Sequence, residues 1–389
     1  MKSFTTVSAV LAIPLFMACS YLDDAGQSAL SNDVVPAEES VLEVTPKGVA
    51  DLLSQLPLGI DQAMEVWNAV SASASNGYDE EYTLASMLSC PGAGVGDAAL
   101  GTKAAEYSSP LKDLLGSFVE GVSQTRAAGF EDALAGSDLQ LYWPYSEDWD
   151  GISLPTITFD PENGAESNVG YLREELPGGK WIVKEVVVDE EYAMKNPVWI
   201  VNRNEDAGHL TFQMMEKLGV STQPVETRSG ELRSLVLKEF KAHRNYDSIF
   251  AGGSEFFVKV GAINNFKAST LDDLKKYYPQ VTDFMVNVRR KQVGSAIRLN
   301  AILVSDWTDQ LMESAFIIIE DDGGKQTTWK AGGTVKIKSK AYGFEVEVPM
   351  NRNDDIVWRG KLSSSFIEKY NGVANRFGDV SVTFNIKSI

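Results

Sequence analysis

From residue 229 to its end, the chain keeps a period of two. Phe344, Val346 and Val348 alternate with Glu345 and Glu347. Val380, Val382, Phe384 and Ile386 alternate with Ser381, Thr383, Asn385 and Lys387, and Val335 and Ile337 alternate with lysines. Successive side chains of a strand point to opposite faces, so this pattern demands strands with one apolar and one polar face. Apolar runs at Ser234–Ala242, Phe256–Ala262, Met285–Arg289, Ala296–Val304 and Ala315–Glu320 bring the expectation to about eight strands packed as an antiparallel β-sandwich. One helix is expected among them at Thr270–Tyr277, with Thr270 as its cap and Asp272 and Asp273 at its positive end.

Residues 45–228 read differently. Thr45-Pro46 is a cap followed by proline at the first helical position, leading into Val49, Leu52, Leu53 and Leu56 before Pro57 breaks the run. Ile60, Ala63, Met64, Trp67 and Val70 fall at helical spacing. A further helix starts at Ser109-Pro110, with Leu111, Leu114, Leu115, Phe118 and Val122 on one stripe. Strands are expected at Thr156–Phe159, Trp181–Val188 and Val198–Val201, and a short helix at Leu210–Leu218 ended by Gly219. The expected fold is therefore α+β: a helical N-terminal region that merges into a mixed segment, together 45–228, then the antiparallel β-sandwich (229–389).

The charge balance limits the partners. The formal net charge is −19, which argues against nucleic acid, whose binding rests on Lys and Arg neutralising phosphates. A negative field suits solubility, a cation or a basic partner. No second run of eighteen apolar residues follows the N-terminus, so no later segment is expected to span a membrane.

At the N-terminus, Lys2 precedes an apolar run from Val7 to Met17, closed by Ala18-Cys19. The run is too short for a permanent span and ends in a small residue before a cysteine. Residues 1–18 thus resemble a bacterial lipoprotein signal peptide, with Cys19 as the lipidated first residue of the mature chain. Phe16-Met17-Ala18-Cys19 departs from the commonest lipobox and is similar to the looser signals of Bacteroidetes lipoproteins. The resemblance implies attachment to outer-membrane lipid through Cys19, because Ser20 stands where aspartate would retain the protein at the inner membrane. Asp23-Asp24 is similar to an acidic export signal to the cell surface and also suits an acidic linker. Residues 19–44 are rich in Ser, Ala, Asp and Glu and read as a flexible acidic tether. Asp247-Ser248-Ile249 resembles the O-glycosylation acceptor of the same bacterial group, with Ser248 as the modified residue; a local turn accounts for it equally. Cys19 and Cys90 are the two cysteines. If Cys19 carries lipid, no internal disulfide can form, and Cys90 reads as a small buried hydrophobe.

Several motifs fall short of chemistry. The glycine-rich stretch at 90–103 lacks the spacing of a dinucleotide loop, and its Thr102-Lys103 reverses the order of a phosphate loop. His209 and His243 are the only histidines, and their spacing fits no zinc motif. Asn202, Asn204 and Asp206 alternate as the oxygen ligands of a Ca²⁺ loop do. Ala207 and Gln213, however, replace the glycine and the closing glutamate of that pattern, and an Asx-rich turn fits as well. Acidic clusters at Asp79-Glu80-Glu81, Asp189-Glu190-Glu191, Glu320-Asp321-Asp322 and Asp354-Asp355 read as solvated turns, or, in the sandwich, as an oxygen-rich Ca²⁺ site.

The aromatic run from Tyr142 to Trp149 is the strongest candidate surface. Tyr142, Trp143, Tyr145 and Trp149 could stack on sugar faces or fill peptide pockets, beside the carboxylates Glu147 and Asp150. A rigid turn packing its rings inward explains the run too. The reading is a lipid-anchored binding protein of the outer membrane for a glycan or a protein. The alternative is an envelope hydrolase using carboxylates or a metal. Binding predicts Trp143 and Trp149 exposed together; hydrolysis predicts a cleft where two acids, or an acid and a histidine, converge.

Overall fold

The computed structural model describes residues 43–89, 110–122, 124–177, 180–204, 209–219, 233–262, 280–305, 307–308, 313–320, 330–338, 343–350 and 355–388. The chain has an α+β fold. Thr45 caps α1 (Pro46–Gln55), its hydroxyl accepting the Gly48 N–H at 3.0 Å, and the helix buries Val49, Ala50, Leu52 and Leu53 before Pro57. Then come α2 (Ile60–Ser75), β1 (Glu81–Thr83), α3 (Leu84–Leu88), α4 (Pro110–Val122) and α5 (Gln124–Ala135). Helix α4 buries Leu111 and Leu115 of the expected stripe, with Leu114 and Phe118 half-buried beside them, and adds Val119.

These helices cover one face of a six-stranded sheet made of β1, β2 (Leu139–Tyr142), β3 (Thr156–Phe159), β4 (Ser167–Leu176), β5 (Lys180–Asp189) and β6 (Val198–Arg203). The order is β1-β2-β6-β3-β4-β5, and β3 runs parallel to β6 while the other pairs are antiparallel. Alternation sends Leu141, Trp199 and Val201 into the helical core and Tyr142, Val198 and Ile200 to the opposite face. Both faces of β6 are covered, so its sequence is a continuous apolar run rather than an alternating one. The second face is covered by α6 (Glu190–Ala193) and by Ile249 and Phe250 from the sandwich region.

After α7 (Phe212–Lys217) come β7 (Arg233–Ala242), β8 (Ser254–Ala262), β9 (Gln280–Val288), β10 (Ile297–Val304), β11 (Glu313–Glu320), the pair β12 (Lys330–Lys338) and β13 (Gly343–Met350), β14 (Asp355–Ser363), α8 (Ser364–Lys369), β15 (Ala374–Phe377) and β16 (Val380–Ser388). Two antiparallel four-stranded sheets, β10-β7-β16-β15 and β14-β11-β8-β9, share one core. Phe316 sits at its centre, its ring within 5.3–5.6 Å of those of Phe384, Phe377 and Trp358. The register of β10 on β7 shifts between Arg298 and Ala301, where Asn300 takes φ +59°, a bulge placed on the residue type that tolerates it.

The short helix expected at 210–218 forms as α7, whereas the helix expected at 270–277, the glycine-rich stretch at 90–103 and Cys19 lie outside the described residues. Strands β1, β2, β4, β14 and β15 have no counterpart among the strands expected from the sequence. Residues Leu42–Ile389 form one compact unit, and no helix of the described residues is long and apolar enough to cross a membrane.

Candidate functional site

The aromatic run leaves β2 and turns sharply. Tyr145 adopts a left-handed conformation, φ 59° and ψ 26°. An aromatic side chain pays for that conformation in strain, and it persists where the surroundings impose it. A 3₁₀ turn follows at Ser146–Asp148, and the chain re-extends at Trp149. The next bend is built around Asp150. Its Oδ1 accepts the N–H groups of Ile152 and Ser153 at 2.9 and 2.8 Å, and its Oδ2 accepts the Ser153 hydroxyl at 2.6 Å. The Ser153 hydroxyl and these backbone N–H groups hold the Asp150 carboxyl below the usual carboxylate range, so it stays anionic. Gly151, at φ +79°, supplies the conformation the bend needs.

The facing wall is α6 and the turn after it. Asp189 caps this helix through the Tyr192 N–H at 2.8 Å. The Tyr192 hydroxyl lies 2.9 Å from Thr156 Oγ1 on β3, which ties the wall to the sheet. Between the walls lies a cleft of about 330 Å³. Tyr145, Trp149, Asp150 and Ser153 line one side, Tyr192, Met194 and Asn196 the other, and Thr156 and Leu172 also line it.

Four tryptophans connect the cleft to the core. Trp149 packs edge-on to Trp143 at 5.2 Å and lies 6.4 Å from Trp67; Trp143 meets Trp199 at 5.9 Å. The polar ends of two of them point at loop carbonyls. Trp149 Nε1 donates to Ser153 O at 2.8 Å and Trp67 Nε1 to Ser146 O at 3.0 Å. The rings therefore hold the loop as well as the core.

The expectation that Trp143 and Trp149 are exposed together is corrected. Trp143 is 1% exposed and Trp149 half-buried, because the run packs Trp143 under the helices and presents only its far end. Tyr142 is fully buried on the opposite sheet face. Tyr145 donates its hydroxyl to Glu190 Oε1 at 2.8 Å, and burial together with that carboxylate raises its pKa well above the ordinary phenol range.

The other candidate residues are dispersed. Asn202 is buried in β6, its amide nitrogen donating to the carbonyls of Phe250 and Ala251 at 3.1 and 2.8 Å, and Asn204 donates to Gln140 Oε1 at 2.9 Å. Asp206 lies outside the described residues. Among the described residues no group of three or more His, Cys, Asp or Glu is placed to hold a metal ion. Ser248 is half-buried, its carbonyl accepting the Ala251 N–H in a turn, while Ile249 beside it is buried. The ring of His209 packs on Phe257 at 4.6 Å, and His243 Nε2 lies 2.8 Å from Ser381 Oγ; neither lines the cleft.

Two acidic clusters depart from the solvated reading. Glu320 is fully buried at the end of β11. Asp79 and Glu80 are buried beneath a loop of the sandwich region. Asp79 Oδ2 accepts the Gly253 N–H at 2.5 Å, and Glu80 faces Arg289 at 3.1 Å. Burial, then the charge of Asp79, pushes the Glu80 pKa up against the lowering pull of Arg289. The α6 wall and these cationic partners are what the sequence reading missed. The available signal was Arg289-Arg290-Lys291, three consecutive cations in a strongly acidic chain.

No protein-family model, curated protein or solved structure matches the chain.

Proposed function

We propose that this is a lipid-anchored binding protein of a bacterial outer membrane, held through Cys19, carried to the cell-surface side by the acidic tether, and binding a glycan unit in the Tyr145–Trp149–Tyr192 cleft. The observation that carries the reading is the cleft itself. A half-buried tryptophan, two tyrosines, an anionic aspartate, an asparagine and a threonine converge on about 330 Å³, the lower end of small-ligand sites. Rings cover the apolar faces of a sugar, and amide and hydroxyl groups bond its edges.

The state of the lining carboxylates favours binding over hydrolysis. Asp150 spends both oxygens bracing its own loop, and Asp148 pairs with Lys291 at 2.5 Å. Glu147, the other half of the carboxylate pair considered from sequence, faces Arg289 and Lys291 at 3.7 and 3.9 Å. A general acid needs a raised pKa and reach to a leaving group, and Asp150 is shifted the other way.

The test is titration of tryptophan emission with the β-methyl glycosides of glucose, galactose, mannose and N-acetylglucosamine. Saturable change that disappears in Trp149→Ala supports the reading; no response to any of them removes the glycan. Anchoring is tested separately: Cys19→Ala should abolish incorporation of labelled palmitate, and retained labelling would contradict it.

A further inference from the structure

The cations Arg289, Arg290 and Lys291 lie at the end of β9 and in the 3₁₀ turn Arg290–Gln292. Each reaches an acid of the N-terminal region. Arg289 Nη1 meets Glu80 at 3.1 Å and Glu147 at 3.7 Å, Arg290 Nη1 meets Glu190 at 3.1 Å, and Lys291 Nζ meets Asp148 at 2.5 Å. The acids are not scattered. Glu147 and Asp148 form the turn on one side of the cleft, and Glu190 opens α6 on the other. Glu190 Oε1 also accepts the Tyr145 hydroxyl, so one carboxylate oxygen joins both walls to the sandwich.

Arg290 is built into this position. Its side chain is 3% exposed, and besides Glu190 it donates through Nε to Gly252 O at 3.1 Å and through Nη2 to Asp247 O at 2.8 Å. A guanidinium held by three acceptors has little freedom, and it transmits its place to whatever it bonds. At the far end of this chain of bonds stands Tyr145, kept in its left-handed conformation.

We propose that Arg290 is the positioning residue of the cleft: through Glu190 it fixes Tyr145, and with Lys291 it lets the sandwich set the spacing of the two walls. The proposal deepens the binding reading, and its consequence for ligand rests on that reading; the geometric claim can be tested without a ligand.

The test uses the full chain labelled with 5-fluorotryptophan, whose eight tryptophans give separate ¹⁹F signals, Trp149 being assigned by Trp149→Phe and Trp358 by Trp358→Phe. Arg290→Gln and Tyr145→Phe should each shift the Trp149 signal and leave that of Trp358, half-buried against the sandwich core, in place. Because both act along one path, the double variant should move Trp149 no further than the larger single change. Arg290→Lys should return part of the shift, and Arg298→Gln, on an exposed arginine of the same sandwich, should cause none. Should Arg290→Gln fail to fold, Glu190→Gln takes its place in the cycle with Tyr145→Phe. A folded variant whose Trp149 signal stays put, or shifts that simply add, overturns the proposal. If one of the methyl glycosides binds, Arg290→Gln should also weaken it at least tenfold; if none binds, the ¹⁹F cycle still decides the positioning claim, so the two failures are told apart.

Discussion

Two aromatic clusters dominate this molecule, built from the same contacts to different ends. In the sandwich, Phe316, Phe377 and Phe384 are all buried, and their edge-to-face contacts close on one another. In the N-terminal region, Trp143 and Trp199 are as deeply buried, but the stack runs outward through Trp149 to the cleft. The rings of the first cluster carry no polar atom. Two rings of the second spend their N–H groups on the carbonyls of the loop that forms the cleft. A closed cluster contributes packing alone, whereas an open-ended one uses core packing to make a surface loop rigid.

The largest effect is expected at Phe316. Phe316→Ala removes a fully buried ring and should cost about 3–5 kcal/mol, measured by urea unfolding, while the folded fraction keeps its Trp149 environment. Loss of that environment along with stability would mean the clusters are not separate. Next comes Arg290→Ala, which strands two backbone carbonyls and Glu190; with Glu190 partly exposed, the expected cost is about 2–3 kcal/mol. Trp149→Ala should cost less than Phe316→Ala, about 1–2 kcal/mol, because the ring is only half-buried, yet it should remove glycoside binding entirely. A larger loss for Trp149 than for Phe316 would invert the account.

Glu80 sharpens the contrast through pH. Its folded pKa is raised, so the folded state holds that proton more tightly than the unfolded chain does. The stabilisation it provides is full below its ordinary value of 4.5 and falls as pH rises above it. Glu80→Gln should flatten that fall in thermal melts taken from about pH 4 to 7, and an unchanged slope would assign the titration elsewhere. The smallest effect is expected at the surface pair of Lys195 and Glu191, where Lys195→Ala should change stability by about 0.5 kcal/mol or less.

Much of the fold was legible where one rule governs each residue. The alternation in β13 and β16 predicts strands, and strands form there. Thr45-Pro46 predicts a helix start, and the cap is made by Thr45 itself. Strand β4 was not legible. Its residues are half-exposed on both faces, so no apolar stripe marks it, and Gly170 is needed because a Cβ there would fall 2.4 Å from Val188 Cγ2. The aromatic run marked the site by composition, but which ring would be buried depended on helices far away in sequence. The ionic seam was least legible, since Glu80 and Arg289 lie 209 residues apart. Local pattern carries no information about such a pairing, and Asp79-Glu80 looks like any solvated turn until the sandwich covers it.

The most direct test of the central claim follows the Trp149 ¹⁹F signal while the full chain is titrated with the four methyl glycosides. A saturable shift of Trp149 with at least one of them, and no movement of Trp358, is the expected result. A Trp149 signal that stays fixed with all four, or a shift confined to Trp358, would contradict it.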